Sequence, residues 1–107
     1  MADPTAFNTR VEQDEPGSRF VIRTEQGVAE LKYNVIGQQI VLEHTEVPKK
    51  LEGHGLAGSL AKAGLEYARA GNLSVIPVCP FVISYLKRHP EYQALVKHAR
   101  FAPDESP

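Results

Sequence analysis

The chain has 107 residues, 42% hydrophobic and 23% charged, with a formal net charge of -1 and one cysteine. That length holds a single domain, with about two thirds of the unfolded surface buried on folding. The balanced charge argues against a general nucleic-acid binder, and the lone Cys79 excludes an internal disulfide framework or a Cys-rich zinc site. No apolar run approaches the ~20 residues of a membrane helix. The N-terminus also lacks the basic-then-apolar layout of a signal peptide. A cytoplasmic domain with no membrane or nucleic-acid partner is the expectation.

Residues 1–18 hold two prolines, a glycine and few apolar anchors, and read as a mobile lead-in with a strand start near Val11. The working domain is expected over 19–100, followed by a flexible tail over 101–107. Arg19 to Thr24 is rich in β-formers and ends at the turn Glu25-Gln26-Gly27. From Val28 to Val35 the pattern alternates, placing Ala29, Leu31, Tyr33 and Val35 on one face. Gln39 to Val47 reads as a third strand with Ile40, Leu42, His44 and Glu46 together on one face and Glu43 solvated on the other. The economical arrangement is an antiparallel meander.

After Pro48 the period changes. Leu56, Leu60, Ala63, Gly64 and Tyr67 recur at helical spacing, the apolar stripe extending through Ala61 and Leu65, with Gly71 as terminator and Lys62, Glu66 and Arg69 as a solvated face. Leu73 to Val78 reads as a short strand, parallel to the third after a right-handed crossover. Pro77 cannot donate to the ladder, so these two parallel strands are expected to part near it. Pro80 to His89 forms a short helix with Phe81, Tyr85 and Leu86 inward, and Glu91 to Ala99 adds a last turn or two. The fold class is α+β: a three-stranded meander, a crossover strand and short C-terminal helices.

The chemistry gathers around Glu52-Gly53-His54-Gly55-Leu56-Ala57-Gly58, between a strand and a helix. Glycines let backbone approach a ligand closely, and a helix start offers free N–H groups and partial positive charge. A phosphate or pyrophosphate suits such a turn, with Lys49 and Lys50 adding cationic support. A tight turn that simply starts a helix would look the same. The spacing fits neither a Walker loop nor a dinucleotide fingerprint. No His-x-x-x-His or comparable metal-ligand spacing occurs among the histidines.

HTEVPKKLEGHGLAGSL, followed by VIPVCPFVISYLKRHPEY, resembles the small single-domain acetyltransferase-like family of the GNAT superfamily. Lys50-Leu51-Glu52-Gly53-His54-Gly55 follows the superfamily's acetyl-CoA signature, Gln/Arg-x-x-Gly-x-Gly/Ala, except that Lys50 holds the first position. The resemblance implies that the amides of Gly53, His54, Gly55, Leu56, Ala57 and Gly58 hold the pyrophosphate of coenzyme A. It also implies that Thr45, Glu46 and Val47 run beside the pantetheine arm.

Two residues are candidates for the reaction. Cys79 precedes Pro80, a preferred first helical residue, and so falls at an N-cap where the helix dipole favours negative charge. A lone cysteine also serves as a small buried apolar residue. His44 suits proton transfer with an amine or a leaving thiol, with Glu46 as a second base on its face. Tyr85 reads as core. The expected function is acetyl transfer from acetyl-CoA to an acceptor, a small amine or a protein. The alternative is a non-catalytic acyl-CoA-binding module working through a protein partner.

Overall fold

A computed structural model describes residues 10–96. Five strands form one sheet in sequence order: β1 Glu12–Asp14, β2 Arg19–Thr24, β3 Gly27–Ile36, β4 Gln39–Glu46 and β5 Ser74–Pro77. β1 to β4 are antiparallel neighbours, and β5 lies parallel to β4. The meander and crossover strand thus form as the pattern requires.

β1 adds an edge strand to the three expected. Arg19 carries it, because its guanidinium bridges Asp14 at 2.8 Å and Glu30 at 2.7 Å. Gln13 Nε2 also donates to the Tyr33 hydroxyl at 2.9 Å. The last residues of the expected C-terminal turn, 97–99, lie outside the described residues.

The crossover is α1, Leu56–Gly71, which packs Leu56, Leu60, Ala61, Leu65 and Ala68 on the sheet. Opposite them stand Phe20, Ile22, Ala29, Leu31, Tyr33, Ile40, Leu42 and Val75, all buried. Gly64 lets helix and sheet close together: a Cβ there would meet Leu31 Cδ2 at 3.2 Å and Leu42 Cδ2 at 3.4 Å. The expected terminator, Gly71, is the last helical residue, and the left-handed turn is made by Asn72 at φ 59. Asparagine tolerates that region because its short polar side chain bonds locally.

Val35 was expected inward with Ala29, Leu31 and Tyr33, yet it is 41% exposed. The β2–β3 ladder ends at Arg19 and Lys32, so Val35 has no β2 strand beside it, although its β4 partner Ile40 is buried. α2, Pro80–Arg88, buries Val82, Tyr85 and Leu86 and leaves Phe81 half-buried. A 3-10 turn over Pro90–Leu95 follows, and Val96 bridges Val75 in parallel. Glu66 and Arg69 keep about half of their side-chain surface in solvent, as expected, and also meet this turn. Tyr92 donates to Glu66 at 2.6 Å, and Arg69 lies 5.0 Å from the centre of the Tyr92 ring. Among the described residues no helix is long and apolar enough to cross a membrane.

Candidate functional site

β4 leaves Val47 and Pro48, makes a 3-10 turn over Lys49–Leu51, and reaches α1 through Glu52 to Gly55. Leu51 is fully buried and anchors this turn to the core. Gly53 and Gly55 have φ of 88 and 77, a left-handed conformation that side chains rarely adopt. A Cβ on either would meet nothing within 4 Å. The glycines therefore serve backbone shape and leave the space above it open.

Gly55 is the N-cap of α1, with no side-chain cap and no acidic residue in the first turn. The first N–H groups of a helix have no partner within it, so this start offers donors and a positive field to an outside anion. An open groove of about 250 Å³ lies over it, bordered by Val47, Gly53, Gly55, Ala57 and Phe81.

Beside the groove the sheet forks. The β4–β5 ladder ends at Leu42 and Pro77, whereas β4 continues to Glu46. Leu42 O accepts both Val78 N and Cys79 N at 3.0 Å, which closes the ladder and fixes the start of α2. Cys79 is the N-cap of α2, with Pro80 at the first position, and is 3% exposed.

An irregularity in β4 decides which side chains face Cys79. Lys32 pairs with His44 and Tyr33 with Leu42, so Glu43 is an extra residue, a β-bulge. The alternation reverses there. Thr45, opposite Leu31, turns to the helix-covered face and comes within 3.2 Å of Cys79 Sγ. His44, opposite Lys32, turns to the other face, with its side chain 59% exposed and Nε2 4.0 Å from Glu46 Oε1.

The sequence model of the GCN5-related N-acetyl-transferase family matches residues 19–95. The chain belongs to that family. It is 37% identical over 89 residues to Protein NATD1 of Homo sapiens, covering 80% of this chain and 79% of that protein. It is 33% identical over 94 residues to Protein NATD1 of Danio rerio, covering 83% and 86%. Among solved structures it resembles a GCN5-like N-acetyltransferase candidate from Staphylococcus aureus. The TM-score is 0.65 at 33% identity, with 83% of this chain and 88% of that chain covered.

Within this GNAT chain, the turn residues expected at the cofactor lie together. Val47, Gly53, Gly55, Leu56, Ala57 and Gly58 all border the groove. His54 and Lys50 are exposed on the same turn, and Glu46 is exposed on the outer face of β4. The structure does not bring His44 and Cys79 together on one face. The expectation that His44 shares a face with Ile40 and Leu42 fails at the bulge, and it fails for Glu46 likewise. Thr45 takes that place beside the thiol.

One groove feature escaped the sequence reading. Phe81 packs against the core as expected but also borders the groove, and Val82 is fully buried. The 3.6-residue period of Val82, Tyr85 and Leu86 carries that signal. Tyr85 is buried as expected and stacks on His89 at 3.9 Å. Burial pushes its hydroxyl above the ordinary tyrosine range.

Proposed function

We propose that this chain takes an acetyl group from acetyl-CoA and delivers it to an amine. The observation that carries this reading is an uncapped, glycine-lined helix start placed beside the fork of two parallel strands. When bound, acetyl-CoA supplies an acyl thioester. The amides of residues 53–58 and the field of α1 hold its pyrophosphate, with Lys49 and Lys50 adding charge from the preceding turn. Val47, Leu56 and Phe81 give the arm an apolar wall. β4 from Glu43 to Glu46 has no β5 partner, so its backbone groups are open to the amides of the pantetheine.

In the direct route the amine attacks the thioester and β4 backbone N–H groups hold the oxyanion; in the alternative, Cys79 on the covered face receives the acyl group first. On the outer face His44 takes the proton of an incoming ammonium, with Glu46 beside it. No helix is inserted between the strands from Glu12 to Glu46, and the cavity this segment forms beside β4, about 200 Å³ bordered by Lys32, Asn34 and Glu43, is polar and open. That openness favours a second reading, a module that presents acyl-CoA to a protein partner.

Calorimetry with CoA, together with an acetyl-CoA consumption assay over a panel of amines, decides between them. Binding with turnover supports the transferase. Binding without turnover supports the module, and no binding removes both. Intact mass after exposure to acetyl-CoA, beside Cys79→Ala, tests the covalent route: transfer retained in the variant without any acetyl adduct on the parent eliminates it.

A further inference from the structure

We infer that Thr45 is the positioning residue of Cys79, turned toward it by the β4 bulge. The inference rests on the acetyl-CoA reading above and concerns the covalent half of it. The pair is 3.2 Å apart, Oγ1 to Sγ, across the mouth of the fork. Each partner is fixed by backbone. Cys79 is held by its N–H on Leu42 O and by its carbonyl, which accepts Ile83 N at 3.1 Å. Thr45 is held in the β3 ladder opposite Leu31. In an unbroken strand, Thr45 would point to solvent and His44 would point to the core. One inserted residue, Glu43, exchanges them.

The hydroxyl is suited to the task because it can accept and donate in turn. Either atom can donate across this contact, so Oγ1 accepts from the thiol and donates to the thiolate that reacts. In acyl transfer, Cys79 Sγ forms a bond to the acyl carbon as the carbon–sulfur bond to CoA breaks. The Cys79 proton passes through the Thr45 hydroxyl, which gives up its own proton to the departing CoA sulfur. A thioester and a thiol are consumed and a thioester and a thiol are formed, so no other reactant is needed. Valine has nearly the shape of threonine and neither capacity.

The test compares the parent with Thr45→Val and Thr45→Ser by two rates. One is acetyl adduct formation on Cys79 by intact mass. The other is alkylation of Cys79 by iodoacetamide without CoA. Losing one such hydrogen bond is expected to slow both by about 10-fold in Thr45→Val, with most of each rate restored in Thr45→Ser. CoA affinity and melting temperature are measured beside the rates, and a fall in either that accounts for the lost rate and is not restored in Thr45→Ser would mark packing and overturn the inference. Unchanged rates in Thr45→Val overturn the inference and leave the transferase reading standing. A parent that binds CoA and transfers acetyl without ever labelling Cys79 also overturns it. A parent that does not bind CoA overturns the acetyl-CoA reading itself.

Discussion

The Tyr92 hydroxyl donates to Glu66 Oε2 across 2.6 Å and so ties the C-terminal 3-10 turn to the middle of α1. Arg69, 3.7 Å from the same carboxylate, also lies over the tyrosine ring. Because α2 lies between β5 and this turn in the chain, the tie helps to hold α2, and with it Cys79, against the fork.

Tyr92→Phe is therefore expected to cost about 2 kcal/mol of stability in urea unfolding at neutral pH. The pH dependence gives a second readout. The carboxylate of Glu66, aided by burial, pushes Tyr92 from 10.0 up to about 12. The folded chain thus keeps this proton after the unfolded chain has lost it. The stabilisation is whole below pH 10 and drains away as pH rises toward 12. The phenylalanine variant should lack that decline, and equal slopes in the two proteins would refute the assignment.

Arg19 makes a comparable tie at the opposite end of the sheet. It holds the Asp14 carboxyl below its ordinary value by donating to it, and the Gly17 amide adds to the effect. A depressed carboxylate stabilises the fold above its unfolded value of 3.8 and loses that contribution as pH falls through the lowered one. In Arg19→Gln the Asp14 carboxyl carbon is expected to titrate at higher pH by NMR. The amides of β1 should then exchange faster on acidification. An unmoved Asp14 titration would show that Arg19 does not set it.

Much of this molecule is legible in its sequence. Alternation in β3, helical spacing from Leu56, and Pro77 together give the meander, the crossover and the fork. The glycine turn marks the groove because positive φ and a bare helix start both need specific residues. The bulge is different. Glu43 and His44 are both polar, so either could face solvent, and the pattern looks the same with one residue in register or out of it. Only the pairing of Lys32 with His44 and Tyr33 with Leu42 shows that the alternation reverses. A single-residue slip moves every following side chain to the other face, and the candidate site lies just after it. β1 is announced only by the strand start near Val11. Its three residues are held by side-chain bonds from Arg19 and Tyr33, which no local period announces.

The reversal makes the two halves of the proposed reaction separable. His44 stands on the outer face and Cys79 on the covered one, so their substitutions should act on different steps. His44→Ala is expected to leave CoA affinity and Cys79 acetylation at parental rates while slowing release of the acetyl group to an amine by about 100-fold. Rapid-quench mass measurements resolve the two phases. A variant that fails to acetylate Cys79 would place His44 in the first step and contradict the face assignment.

Gly55→Val tests the groove itself. At φ 77 a branched residue costs about 1–2 kcal/mol. No atom lies within 4 Å of the added Cβ, so no clash is added to that strain and the fold should survive. The new side chain would stand in the space above the α1 start and block approach to its amides. CoA affinity is expected to fall at least ~10-fold by calorimetry, with the circular dichroism spectrum retained. Gly55→Ala, which carries the strain with far less bulk, should lose less. Equal affinity in the valine variant and the parent would mean that the pyrophosphate sits elsewhere. The fork would then be reached from its outer face, and the uncapped helix start would be only a turn.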